Sequence, residues 1–169
     1  MRADAVDVFD LDGTLIRVNS FREITKKVIL LLFKKFKLKS AFALVGAITL
    51  RRMRILSHLA FMKHAVGIFE RELTPQEKTC VCQSVFEENV NKNLAEQMFA
   101  SKNCVISTAA PYQYVSRMSF GKDIAVISAL DPHLPLPDAA NLGEGKVRNL
   151  MACLVGTSPK ILLINKDIS

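Results

Sequence analysis

Apolar and polar positions change period along the chain in a way that divides it into three stretches. Ala5–Asp10 (AVDVFD) is a short run of strand-forming residues that breaks at Gly13, which predicts a buried strand ending in a tight loop. From Asn19 to Lys102 the spacing is helical throughout. It predicts helices over 20–36, 40–54, 56–69, 75–89 and 92–101, the fourth opened by Thr74 as N-cap with Pro75 at the first helical position. Strand-like runs then return at Asn103–Thr108 (NCVIST), Asp123–Ser128 (DIAVIS) and Lys160–Asn165 (KILLIN). Between them the sequence predicts a helix from Pro111 to about Phe120, a loop carrying Pro132, Pro135 and Pro137, and a helix from Lys146 to Val155 after Gly143-Glu144-Gly145. Strand, helical insertion, then alternating strands and helices is the pattern of an α/β protein with a parallel sheet. The expected division is a core of residues 1–16 and 103–169 with an all-helical subdomain of residues 17–102 inserted after the first strand.

Composition supports a folded chain and excludes several classes. The 169 residues are 50% hydrophobic and 23% charged, with seven Gly and six Pro, which excludes disordered and collagen-like material. Cys80, Cys82, Cys104 and Cys153 are too few and too irregular for a disulfide scaffold or a paired zinc site, so a reducing compartment is expected. Cys80 and Cys82, two positions apart on a helix, face apart and read as packing residues. Asp4, Asp7, Asp10 and Asp12 stand where a secretory leader would be basic and then apolar, so a cytoplasmic location is expected.

Charge adds a local feature. The net +7 is concentrated in residues 22–54, where ten Lys or Arg meet the single acid Glu23 for a local +9, leaving −2 elsewhere. Lys26, Lys27, Lys34 and Lys37 fall within about 100° of one another on a helical wheel, away from Ile24, Val28, Leu31, Leu32 and Phe36. The plain reading is a solvated lysine face. About four to eight clustered cations also suffice for peripheral contact with an anionic membrane, for which residues 22–54 are the candidate. Neither Val28–Phe33 nor Ala41–Leu50 approaches the roughly 20 apolar residues needed to cross a bilayer. Nucleic acid is not expected, since no basic–aromatic stacking pattern accompanies the charge.

The candidate chemistry lies in Asp10-Leu11-Asp12-Gly13-Thr14, directly after the first strand. Ligands of parallel sheets bind beyond the carboxyl ends of the strands, so both carboxylates would project into the binding crevice. One can attack phosphorus while the other moves protons, with Mg²⁺ as the natural companion of such oxygen donors. The stretch VFDLDGTLI resembles the first motif of the haloacid dehalogenase superfamily, phosphoserine-phosphatase-like subgroup. Val105-Ile106-Ser107-Thr108-Ala109-Ala110-Pro111 resembles its second motif, and Gly143-Glu144-Gly145-Lys146 its third. The resemblance implies a Rossmann-like parallel-sheet core with residues 17–102 as a helical cap. It further implies Asp10 as nucleophile, Asp12 as general acid and base, and Thr108, or Ser107 in its stead, together with Lys146 as phosphate-binding residues. Mg²⁺ would be held by Asp10, the backbone carbonyl of Asp12 and Asp167, the substrate being a phosphorylated small molecule or a lipid-linked phosphate.

Two departures from the family pattern carry expectations of their own. The fourth motif ordinarily supplies two acids after the last strand; Ile164-Asn165-Lys166-Asp167 supplies one, and Lys166 replaces a small residue, which weakens the expected Mg²⁺ site. Either the chain is a truncated form of a longer protein, the favoured expectation, or a natural variant that has lost activity and serves as a binding or regulatory module at a membrane or acidic partner. Asn19 stands where phosphoserine phosphatases place a Glu for the substrate ammonium, which argues against phosphoserine. A cap both basic and apolar suits a larger anionic substrate, such as a lipid- or glycan-linked phosphate.

Overall fold

Strand β1 (Val6–Phe9) lies inside a parallel four-stranded sheet of order β3-β2-β1-β4, with β2 at Cys104–Pro111, β3 at Ala125–Ala129 and β4 at Ile161–Leu163. The computed structural model describes residues 6–121, 124–132, 139–154 and 161–163. Parallel neighbours cannot be joined by tight turns, so each connection must cross over the sheet. The first does so through five helices: α1 (Ser20–Lys34), α2 (Leu38–Arg52), α3 (His58–Glu72), α4 (Pro75–Asn89) and α5 (Lys92–Ala100). The third crosses through α7 (Glu144–Leu154). The chain is thus a mixed α/β protein with a parallel sheet, as its apolar pattern implies.

Local chemistry sets the helix ends. Thr74 and Glu77 form the reciprocal capping box around Pro75 that starts α4, Ser57 caps α3 by accepting from the Ala60 N–H at 3.2 Å, and Asn19 caps α1 by accepting from Arg22 N at 2.9 Å. The ends of α1 and α2 are less ordinary. Each closes in a Schellman turn: Phe36 N donates to Phe33 O and Lys37 N to Leu32 O, then Arg54 N to Arg51 O and Ile55 N to Leu50 O. The left-handed position is usually glycine, yet Phe36 (φ 55°) and Arg54 (φ 61°) occupy it.

The expected helix 111–120 is replaced by one turn, α6 (Tyr112–Val115), after a strand that continues to Pro111. Packing decides this, because Met118 and Phe120 are both buried, and residues two apart lie on opposite sides of a helix. Phe120 reaches Phe86 of α4 edge-on, with ring centroids 5.2 Å apart. Tyr114 is buried between Phe21 of α1 (5.9 Å) and Phe69 of α3 (4.7 Å), so the helical segment and the sheet share one apolar core.

The solvated lysine face is corrected in part: Lys26 and Lys34 are exposed, but Lys27 and Lys37 form ion pairs with other helices. Lys37 lies beyond α1, and Lys27 pairs with Glu88, Lys35 with Glu77 and Lys37 with Glu72, so these cations bind α1 and its following turn to α3 and α4. Lys37, with Arg71 and Ser40, holds the Glu72 carboxyl down to about 2. Cys82 is buried, as a packing residue should be, whereas Cys80 is exposed. No helix among the described residues is long and apolar enough to cross a membrane.

Candidate active site

Sheet order places the crevice. The chain runs from β1 to β2 and β3 on one side and returns to β4 on the other, so the order reverses at β1. Beyond the carboxyl end of such a strand the crossovers diverge and leave a cleft. Asp10 follows β1 at that point.

The loop after it is tightly wound. Leu15 N donates to Asp10 O and Ile16 N to Leu11 O, with Gly13 at φ 76°, a conformation that favours glycine. Ile16 then bridges Val90, while Arg17 N donates to Asn89 O and Asn91 N to Leu15 O, which ties the loop to the junction between α4 and α5. The wide turn brings Asp12 back toward the start of α1, where its Oδ1 accepts from Ser20 N at 2.9 Å. A carboxylate is favoured there by the helix N-terminus. Burial nonetheless pushes the Asp12 carboxyl above its ordinary value, with a smaller push from Asp10, against the lowering pull of Ser20 and Lys146. The Ser20 hydroxyl lies close to this carboxylate but makes no hydrogen bond of normal geometry.

Asp10 is more open. Its Oδ1 accepts from its neighbour Leu11 N at 2.9 Å and from Lys146 Nζ at 2.8 Å, leaving Oδ2 without a hydrogen bond among the described residues. Lys146 comes from the first turn of α7, 136 positions along the chain. Its aim depends on two asparagines that the sequence did not single out. Asn141, at φ 48°, donates its amide to Thr108 O (2.6 Å) and Ile127 O (3.1 Å), and Asn149 of α7 donates to Asn141 Oδ1 (3.0 Å). Asn141 thereby joins the ends of β2 and β3 to α7. Its signals in sequence are that asparagine tolerates a positive φ and that it lies two residues before Gly143.

Ser107 and Thr108 are both fully buried. Pairing of Phe9 with Ile106 makes Ser107 level with Asp10 across the sheet. Between Ser107 and Pro111 the register with β3 shifts, four positions on β2 spanning two on β3, a bulge of the kind found beside active sites. Thr108 Oγ1 accepts from Ala110 N at 3.0 Å within it, while Ser107 Oγ has no hydrogen bond partner among the described residues. Asp167 and Lys166 lie outside the described residues.

Asn19, weighed as a substrate contact, spends its side-chain oxygen on capping α1. A hollow of about 400 Å³ lies between α1, α2 and α3, with Phe21, Ile48 and Phe61 in its wall alongside Arg22, Lys26 and Arg52. Another, of about 630 Å³, lies along Val115–Gly121 and β3. Neither is lined by Asp10, Asp12 or Lys146.

Fold and site together define a parallel α/β protein with two carboxylates and a lysine at the reversal point of its sheet. No protein-family model matches the chain, and no curated protein matches it. Among solved structures it is similar to the crystal structure of a protein with unknown function from Bordetella pertussis Tohama I, with a TM-score of 0.64 and 16% identity over 93% of this chain and 77% of that one. At that identity the likeness concerns the fold alone.

Proposed function

We propose that the chain is a Mg²⁺-dependent phosphomonoester hydrolase of the haloacid dehalogenase type, working through an aspartyl-phosphate, with residues 17–102 as its cap. The observation that carries this reading is Lys146 Nζ at 2.8 Å from Asp10 Oδ1 beyond the carboxyl end of β1, with the raised carboxyl of Asp12 two residues on. Asp10 attacks phosphorus and the bond to the leaving oxygen breaks. Asp12, kept protonated more readily by its burial, gives its proton to that oxygen. The resulting Asp12 carboxylate then takes a proton from the water that attacks the aspartyl-phosphate, releasing phosphate and restoring Asp10. Lys146 neutralises charge on the nucleophile and the phosphoryl oxygens, and Thr108 or Ser107 donates a hydroxyl to one of those oxygens. The unpartnered Ser107 hydroxyl favours Ser107 for that donation.

The donor set fits Mg²⁺. Asp10 offers a carboxylate oxygen at the strand end and Asp12, whose carboxyl carries the proton, its backbone carbonyl, and this ion is held by one or two carboxylates, with waters and the substrate phosphate completing its shell. No group of three or more potential ligands occurs among the described residues, and Asp167, the third expected ligand, lies outside them. When bound, the ion supplies positive charge to the transferring phosphoryl group. The concentration of cations among apolar residues over 22–54 of the cap favours an amphiphilic anionic substrate, a lipid- or glycan-linked phosphate. Turnover of an aryl phosphate with Mg²⁺, abolished by chelator and by Asp10→Asn, is the expected result. A folded sample without chelator-sensitive turnover overturns the proposal and leaves a binding module.

A further inference from the structure

We propose that the outer face of α2, with the Phe36 turn at its start, docks on an anionic lipid bilayer. This inference rests on the surface alone and does not require the catalytic reading.

The fifteen residues of α2 form a rod about 22 Å long. Ala41, Leu44 and Ala47 are buried against the neighbouring helices, yet the opposite side is apolar as well. Leu38, Phe42, Val45 and Leu50 are exposed, Phe42 at 62% of its surface, with Ala43 and Gly46 exposed between them. Thr49, the polar residue between Phe42 and Leu50, turns its hydroxyl back to Val45 O at 3.2 Å. A protein partner would find almost nothing there to hydrogen-bond. Hydrocarbon asks for none.

Phe36 extends the same surface. It occupies the glycine position of a Schellman turn at φ 55° and is 86% exposed, so it bears backbone strain and loses burial together. Phe33, itself exposed, meets Phe42 edge-on at 5.7 Å, which makes the end of α1 and the start of α2 one apolar surface.

Charge supplies the choice of occupant. Residues 24–69 contain no Asp or Glu. Lys34 and Lys39 stand at the Phe36 end, Arg52 and Arg54 at the other, all exposed and none in an ion pair among the described residues. An apolar stripe bracketed by unneutralised cations matches acyl chains beneath anionic headgroups.

The test is cosedimentation of the full chain with vesicles of equal parts phosphatidylcholine and phosphatidylglycerol, and with phosphatidylcholine alone. Binding to the anionic vesicles that weakens with salt, and far less to the neutral ones, is expected. Phe42→Ser and Phe36→Gly should each weaken it about tenfold. Phe36→Gly relieves the left-handed strain, so its melting temperature should hold or rise while binding falls, which separates docking from misfolding. Lys34→Glu with Lys39→Glu should remove the preference for anionic lipid, whereas Asp10→Asn should bind as the natural chain does. Absence of binding to the anionic vesicles, or unchanged binding by Phe42→Ser, overturns the proposal. So does a dimer that Phe42→Ser dissociates without any vesicle binding, since the face then belongs to a second copy.

Discussion

At the carboxyl edge of the sheet, polar groups are wholly or partly drawn out of water and mostly given partners: half-exposed Asp10 meets Lys146, Asp12 meets Ser20 N, and Asn141 meets two strands and α7. Along the outer face of α2, apolar side chains are left in water and the cations at its ends have no ion pair among the described residues. One region places charge where the apolar core would ordinarily continue, and the other places apolar surface where charge would ordinarily lie. Each arrangement costs stability in the isolated chain, through desolvation in the first and exposed hydrocarbon in the second. Such local violations of folding rules concentrate where a protein meets something else.

The comparison is broken most directly at Asp10. Asp10→Asn should lower kcat on an aryl phosphate by about 10³-fold or more, with the melting temperature little changed, since the half-exposed carboxylate contributes little to the fold. Lys146→Met should cost about 10²-fold in the same assay, because one charged donor to the phosphoryl group is lost.

Asn141→Ala probes the scaffold behind that lysine. It removes three buried hydrogen bonds, two donated to strand carbonyls and one accepted from Asn149, so chemical denaturation should register a loss of about 2–3 kcal/mol. Activity should fall as well, because α7 then presents Lys146 less firmly. A loss of activity at unchanged stability would mean that Asn141 acts on substrate directly.

Asp12→Asn has a smaller effect on stability and one of opposite sign. Burial raises the folded-state value of Asp12 above 3.8, so the fold prefers the protonated form, and the stability present below 3.8 is lost as pH rises through the folded value. Removing the charge should therefore raise the melting temperature at pH 7, with the gain vanishing below pH 3.8. A gain that persists at low pH would refute the desolvation account. On the α2 side, Phe36→Gly should stabilise by about 1 kcal/mol, the scale of left-handed strain in a non-glycine residue.

Much of the fold was legible in the sequence because its signals are local. Thr74-Pro75 announced α4, strand-forming residues before Gly13 announced β1, and both hold in the structure. The sequence signals a longer helix where the structure has one turn at Tyr112–Val115, since burial of Met118 and Phe120 on opposite sides depends on Phe86 and other partners distant in sequence. The ion pairs of Lys27, Lys35 and Lys37 leave no local signal for a related reason: their acids lie 35 to 61 residues away, on α3 and α4.

Asp10 and Asp12 could be singled out because their chemistry and spacing lie within three consecutive residues. The support beneath Lys146 could not, since Asn141 acts through carbonyls of β2 and β3 that have no signature in side-chain identity. The sequence by itself determined the succession of strands and helices, the acid-free basic stretch and the pair of carboxylates at the end of the first strand, all functions of neighbouring residues. Tertiary structure alone decided the strand order that reverses at β1 beside Asp10, the approach of Lys146 from 136 positions away and the exposure of the outer face of α2. Those are consequences of which surfaces find one another, and apolar burial, being non-directional, leaves that choice to the whole chain.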